Sequence, residues 1–110
     1  MQQISDLALK KNINLSEIKQ QIQKDLILSG IDTDFFDPIQ SYDELASAMI
    51  HFVEELLNNR QDLFSNFIYR IDLPEDDLQK FSENDLQTNF AKLILGRIIQ
   101  KIYFRKKFSK

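Results

Sequence analysis

The chain of 110 residues has no cysteine, two glycines, two prolines and one histidine. Without cysteine there is no disulfide, no thiolate nucleophile and no cysteine-ligated zinc. So few glycines leave no glycine-rich phosphate loop, which argues against nucleotide-dependent catalysis. No apolar run approaches the roughly 18–20 residues needed to cross a bilayer. The opening "MQQISDLALKKN" lacks the basic-then-apolar order of a secretory signal. No stretch keeps a period of two, which argues against a sheet. These absences fit a reducing compartment, and the expected localisation is cytoplasmic.

What is present is apolar and recurs at helical spacing. The hydrophobic fraction is 43% and includes nine Phe, and a chain of this length buries roughly two-thirds of its unfolded surface. Residues 1–110 therefore read as a single all-helical domain with a self-sufficient core. In "LSEIKQQIQKDLILSG", Leu15, Ile18, Ile22 and Leu26 share a face, Asn14 or Ser16 can cap the start, and Gly30 suits the residue past the end. The loop "GIDTDFFDPIQ" should tuck Phe35, Phe36 and Ile39 onto the core.

"SYDE" is a capping box in which Ser41 accepts from a backbone N–H and Glu44 reaches back. Its helix runs to about Asn58, with Leu45, Met49, Phe52, Val53 and Leu56 on one side. A shorter helix, "DLFSNFIYRID", turns Leu63, Phe64, Phe67, Ile68 and Ile71 inward. "LPEDDLQKF" starts another, with Pro74 in the first turn and Glu75, Asp76 and Asp77 matching the helix dipole. The last and longest is "SENDLQTNFAKLILGRIIQKIYFRKKF", capped by Ser82 or Asn84. The predicted fold class is all-α: a compact four- to five-helix bundle with a long C-terminal central helix.

Charge is divided along the chain. Residues 86–110 carry seven cations, from Lys92 to Lys110, and no acid, although the net charge is −3. At about 100° per residue, the first half of the last helix is apolar on two faces. Leu86, Phe90, Leu93 and Ile94 fall on one, and Ala91, Leu95, Ile98, Ile99, Ile102 and Tyr103 on the other. In the second half the first face turns basic and aromatic, with Arg97, Lys101, Phe104, Arg105 and Phe108 in one arc. Several readings compete. The stripe can neutralise phosphates and stack bases of a nucleic acid, seat on an anionic lipid surface, or meet a protein partner with the Phe pair as anchors and the cations as steering charges. Alternatively, the cations serve the helix C-terminus and pair with the acidic body of the same chain.

The segment "DLALKKNINLSEIKQQIQKDL", residues 6–26, resembles the bacterial helix-turn-helix DNA-binding motif. Ala8, Asn12 and Ile18 match its small, turn and aliphatic positions, with Leu7 and Ile13 in support. The resemblance implies that residues 7–26 hold a reader helix offering Lys19, Gln20, Gln21, Gln23 and Lys24 to a DNA groove. The chain departs from the pattern at Lys11, where the motif buries an apolar residue, and at Asn12, where it has Gly. Asp6, Glu17 and Asp25 add negative charge nearby. "NFIYRIDLPEDDL" followed by "AKLILGRIIQKIYFRKKF" resembles small all-helical bacterial proteins, which implies the fold and no particular activity.

Catalytic and metal chemistry are poorly represented. His51 lies among Ser47, Glu54 and Glu55 on a polar helix face, in His-x-x-Glu order rather than the Glu-x-x-His of di-iron bundles. "RIDLPEDDL" gathers Asp72, Glu75, Asp76 and Asp77 without the spacing or central Gly of a calcium loop. No catalytic residue, metal site or cofactor is expected. The reading that follows is a non-catalytic protein-interaction or regulatory module. Its expected partner is a protein, which includes a second copy of the chain as a homodimer, and the alternative is a DNA-binding regulator. The net negative charge disfavours nucleic acid.

Overall fold

The capping and periodic signals translate into five helices in a computed structural model that describes residues 2–73 and 86–108. They are α1 (Gln2–Lys10), α2 (Leu15–Leu28), α3 (Tyr42–Asn59), α4 (Gln61–Ile71) and α5 (Leu86–Phe108). Among the described residues there is no strand, so the all-α class holds. The radius of gyration of 13.3 Å is that of a packed chain of this length, about 13 Å. No described helix is long and apolar enough to cross a membrane. The helix expected from Pro74, and the caps expected at Ser82 or Asn84, lie outside the described residues.

The ends of α1 and α2 are set by the same device. Asn14 caps α2, its Oδ1 accepting from the Glu17 N–H at 2.9 Å while Glu17 Oε1 accepts from the Asn14 N–H at 3.1 Å. At the far end Gly30 is left-handed, with φ of 88°. The Gly30 N–H reaches Ile27 O at 3.0 Å and the Ile31 N–H reaches Leu26 O at 2.8 Å, a Schellman closure. Asn12, with φ of 57°, takes glycine's place at the end of α1. Its N–H reaches Leu9 O at 3.1 Å, and the Ile13 N–H reaches Ala8 O at 2.9 Å. Asn accepts this conformation more readily than most residues. In both closures the following Ile, Ile13 or Ile31, is buried and fixes the exit of the chain.

Ser41 caps α3 as expected, accepting from the Glu44 N–H at 3.1 Å. The reciprocal half of the box is displaced by one residue, because Glu44 Oε2 accepts from the Gln40 N–H at 3.4 Å instead of that of Ser41. Helices α3 and α4 meet at Arg60, whose extended φ of −145° breaks the helical path.

The core is continuous and α5 runs through it. Ala91, Ile94, Leu95, Ile98, Ile99 and Ile102 expose no surface, and α5 touches all four other helices. Its broadest contact is with α3, whose Leu45, Met49, Phe52, Val53 and Leu56 are buried as predicted. From α4, Phe64, Phe67 and Ile71 are buried while Leu63 and Ile68 pack at the edge. Of the loop residues, Phe36 is buried and Ile39 is half-buried. Phe35 remains 42% exposed, because its ring lies on Phe36 and Phe52, with centroids 5.2 and 5.5 Å away, without entering the interior.

Candidate functional site: a basic, aromatic face of α5

On α2, the stripe made by Ile18, Ile22 and Leu26 is interrupted by two polar residues on the same face, Gln21 and Asp25. Both are buried, and the Asp25 side chain is 1% exposed. A buried carboxylate needs a counter-charge and hydrogen bonds, and α5 supplies them. Lys101 Nζ donates to Asp25 Oδ2 at 2.9 Å and Oδ1 at 3.1 Å. Gln21 Nε2 donates to Asp25 Oδ2 at 3.2 Å, and Arg70 Nε of α4 stands 3.8 Å from Oδ1. Arg105 Nη1 donates to Gln21 Oε1 at 2.7 Å and closes the chain of contacts.

These groups line a cleft of about 350 Å³ between α2, α4 and α5, bounded also by Lys24, Arg97 and Phe104. A second cleft, of about 420 Å³, lies on the other side of Arg97 and Phe104. Its charged residues are Lys11, Lys92 and Arg97, with no acid, and Leu7, Leu73 and Tyr103 provide its apolar surface. The two clefts share a wall and an excess of positive charge, in a protein whose net charge is negative.

The five residues expected to bind a partner come together here, but not in one state. Arg97, Lys101 and Arg105 are tethered. Arg97 Nε donates to Ile71 O at 3.0 Å, Nη1 donates to Gln100 Oε1 at 2.9 Å, and Nη2 stands 3.7 Å from Asp72 Oδ2. It thereby satisfies a terminal carbonyl of α4, where a cation is favoured. Arg97 and Lys101 thus pair with acids of the same chain, Asp72 and Asp25, whereas Arg105 is bonded to the neutral Gln21. Phe104 and Phe108 are different: they are 42% and 72% exposed. Their rings stack with centroids 6.0 Å apart, and Phe104 also touches Tyr103. Lys11 Nζ lies 4.0 Å from the centre of the Tyr103 ring, and Lys107 Nζ lies 5.7 Å from those of Tyr103 and Phe108.

Lys106 reaches past the end of α5 to pair with Glu17 and donates to Asn12 O at 3.2 Å. The hydrogen bond from Lys106, with that from the Asn14 backbone, holds the Glu17 carboxyl below its ordinary pKa. The cap of α2 and the tail of α5 are thus tied together.

The residues assigned to a DNA-reading helix are divided by the fold. Ala8, Ile13 and Ile18 are buried and the Asn12 turn has the required hand. Gln21, however, faces inward and is bonded to Asp25 and Arg105, so it is not offered to a groove. Lys19 Nζ donates to Asp37 O at 2.7 Å and to Ile39 O at 2.9 Å. Gln20, Gln23 and Lys24 remain on the outer side, along a groove of about 860 Å³ whose apolar members include Ile27, Leu28 and Ile39.

Sequence reasoning did not find Asp25 and Arg70 as members of this site. Asp25 had a signal: it stands three residues after Ile22 and one before Leu26, inside an apolar stripe. Arg70 had none, since its place depends on how α4 packs against α2. His51, Ser47, Glu54 and Glu55 are all exposed on α3. Among the described residues no three His, Asp or Glu side chains converge as metal ligands would. Comparison with family models, with curated proteins and with solved structures returns no match.

Proposed function

We propose that the protein is a non-catalytic interaction module of the cytoplasm that receives an acidic, apolar-containing segment of a protein partner on the outer face of α5. The observation that carries this reading is the stacked, solvent-facing pair Phe104 and Phe108 beside two clefts lined by cations. Exposed aromatics ringed by one sign of charge fit a partner of opposite sign. The rings supply buried area, and the charges supply orientation and association rate. Completing the burial of a Phe side chain contributes at most about 1.5–3 kcal/mol, so two anchors support a modest, reversible contact.

The test is a titration of the labelled full chain with a synthetic peptide carrying Glu or Asp and Leu or Phe at helical spacing, followed by amide NMR shifts. The expected outcome is a set of shifts between Arg97 and Phe108 that fades as salt rises and disappears in Phe104→Ser/Phe108→Ser. Shifts elsewhere, or binding that survives the double substitution, would overturn the reading.

A second reading, DNA binding through α2, is favoured by the left-handed Asn12 and the fully buried Ala8 between helices of suitable length. It predicts steeply salt-dependent retention on duplex DNA and shifts at Gln20, Gln23 and Lys24. A protein that does not bind duplex DNA at low salt removes it.

A further inference from the structure

The cleft between α2, α4 and α5 holds more positive charge than its structural role uses. Lys24, Arg70, Arg97, Lys101 and Arg105 line it against one carboxylate, Asp25. The inner members have defined tasks: Lys101 neutralises Asp25, and Arg97 serves the end of α4. The outer members do not. Lys24 is exposed, and its side chain makes no hydrogen bond or ion pair with another described residue. Arg70 is 47% exposed in its side chain, and its described contact is the 3.8 Å approach to Asp25, which leaves most of the guanidinium's donors open. Arg105 is exposed, borders the same cleft and uses Nη1 on Gln21.

Cationic heads with unused donors around a pinned lysine are the kind of donor set that a phosphate group takes, because a guanidinium fork matches phosphate oxygens and an ammonium adds a point charge. The anchoring contacts matter as much as the charge. Lys101 is hydrogen-bonded to Asp25, Arg70 stands 3.8 Å from it and Arg105 is hydrogen-bonded to Gln21, so three of the cations are placed before any ligand arrives. The cleft volume of about 350 Å³ lies within the range of small-molecule sites, about 300–1,000 Å³. Its surplus of four positive charges matches two phosphate groups at about −1.5 to −2 each.

We infer that this cleft binds a diphosphate group, with Lys24, Arg70 and Arg105 as its direct ligands and Lys101 as a fixed charge behind them. The site goes beyond the partner-binding reading: it shares the cleft and the Phe104 wall with that reading, but it needs neither Phe108 nor an acidic peptide. The two also fail separately, since one assay uses a peptide and the other does not. Asp25 organises the donors but also repels the ligand. Its removal therefore favours anions while it harms the fold.

The experiment is calorimetric and NMR titration of the full chain with inorganic pyrophosphate, at an ionic strength matched with chloride. Saturable binding is expected, with shifts at Lys24, Arg70 and Arg105. Lys24→Gln and Arg70→Gln should each weaken it about tenfold, the loss typical of one charge-assisted hydrogen bond. Both side chains are exposed, so these variants keep the fold. Asp25→Asn, where it folds, should bind pyrophosphate more tightly than the parent. Vesicles of phosphatidylcholine with and without phosphatidic acid separate the sources. Retention that pyrophosphate competes away assigns the phosphate to a lipid headgroup, and no retention assigns it to a soluble molecule. Pyrophosphate that binds no better than chloride, or unchanged affinity in both Lys24→Gln and Arg70→Gln, overturns the inference.

Discussion

The two halves of α5 differ in how they meet the rest of the protein. From Ala91 to Ile102 it is enclosed, and six of its side chains expose no surface. From Phe104 to Phe108 every residue is exposed, two large aromatics included. Both halves contain cations, and the contrast shows how their meaning depends on what lies beneath. Over the body of the protein, Arg97 and Lys101 find a carbonyl and a buried carboxylate and become structural. Further along, Arg105 and Lys106 still reach Gln21, Glu17 and Asn12, while Lys107 lies beside the rings of Tyr103 and Phe108. One helix thus combines an enclosed spine with an exposed, aromatic end.

Four substitutions and conditions would break or sharpen that contrast. Ile98→Ala, at the centre of the enclosed half, should cost between about 2 and 5 kcal/mol, toward the upper end because the side chain has no exposed edge. Denaturant unfolding measures it directly. Lys101→Met should cost about 3 kcal/mol, the low end for breaking a buried pair, because Arg70 and Gln21 still attend Asp25. A loss below about 0.5 kcal/mol, the size of an ordinary surface substitution, would mean that Asp25 is reached by water.

Gly96 sits within α5 with open space where a Cβ would lie, and it lines the second cleft. Gly96→Ala should therefore stabilise the protein by about 0.5–1 kcal/mol. If the same change weakens peptide binding, the glycine keeps the cleft open at the expense of the spine.

The smallest effect concerns pH. Glu17 is held below its ordinary pKa in the folded state, first by the Lys106 hydrogen bond and then by the Asn14 backbone. Its contribution is therefore complete above the ordinary glutamate range and is lost as pH falls through the lowered folded value. Glu17→Gln should flatten that part of the stability–pH curve and leave stability near pH 9 and its slope there otherwise unchanged, within about 0.5 kcal/mol beyond the lost pair.

Much of the fold was legible because local signals and periodicity agreed. Asn14, Ser41 and Gly30 stand where caps belong, and the apolar residues of α3 fall on one face. The two-faced apolar pattern of α5 required neighbours on both sides, which is why its central position could be read from residue angles alone. Phe35 was misread because loop sequence carries no period, and an aromatic beside Phe36 can rest on a ring cluster without entering it. The site was half legible. Its α5 members share one arc of one helix, so spacing located them. Arg70 and Lys24 join it only through the packing of α4 and α2 on α5, which no local pattern encodes. Gln21 was assigned to the wrong side of α2 because glutamine is usually solvated. Here Asp25 and Arg105 satisfy both ends of its amide, which makes an inward position favourable.

The central claim is that α5 is docked as one rigid spine, since both the proposed partner face and the cleft exist only while it is. Amide hydrogen exchange along α5 tests this most directly. If the spine is real, amides between Ile94 and Ile102 exchange only through global unfolding, with protection equal to the most stable amides of α3. Exchange of that stretch at a lower free energy than α3, as a unit, would show α5 leaving the bundle and would contradict the account.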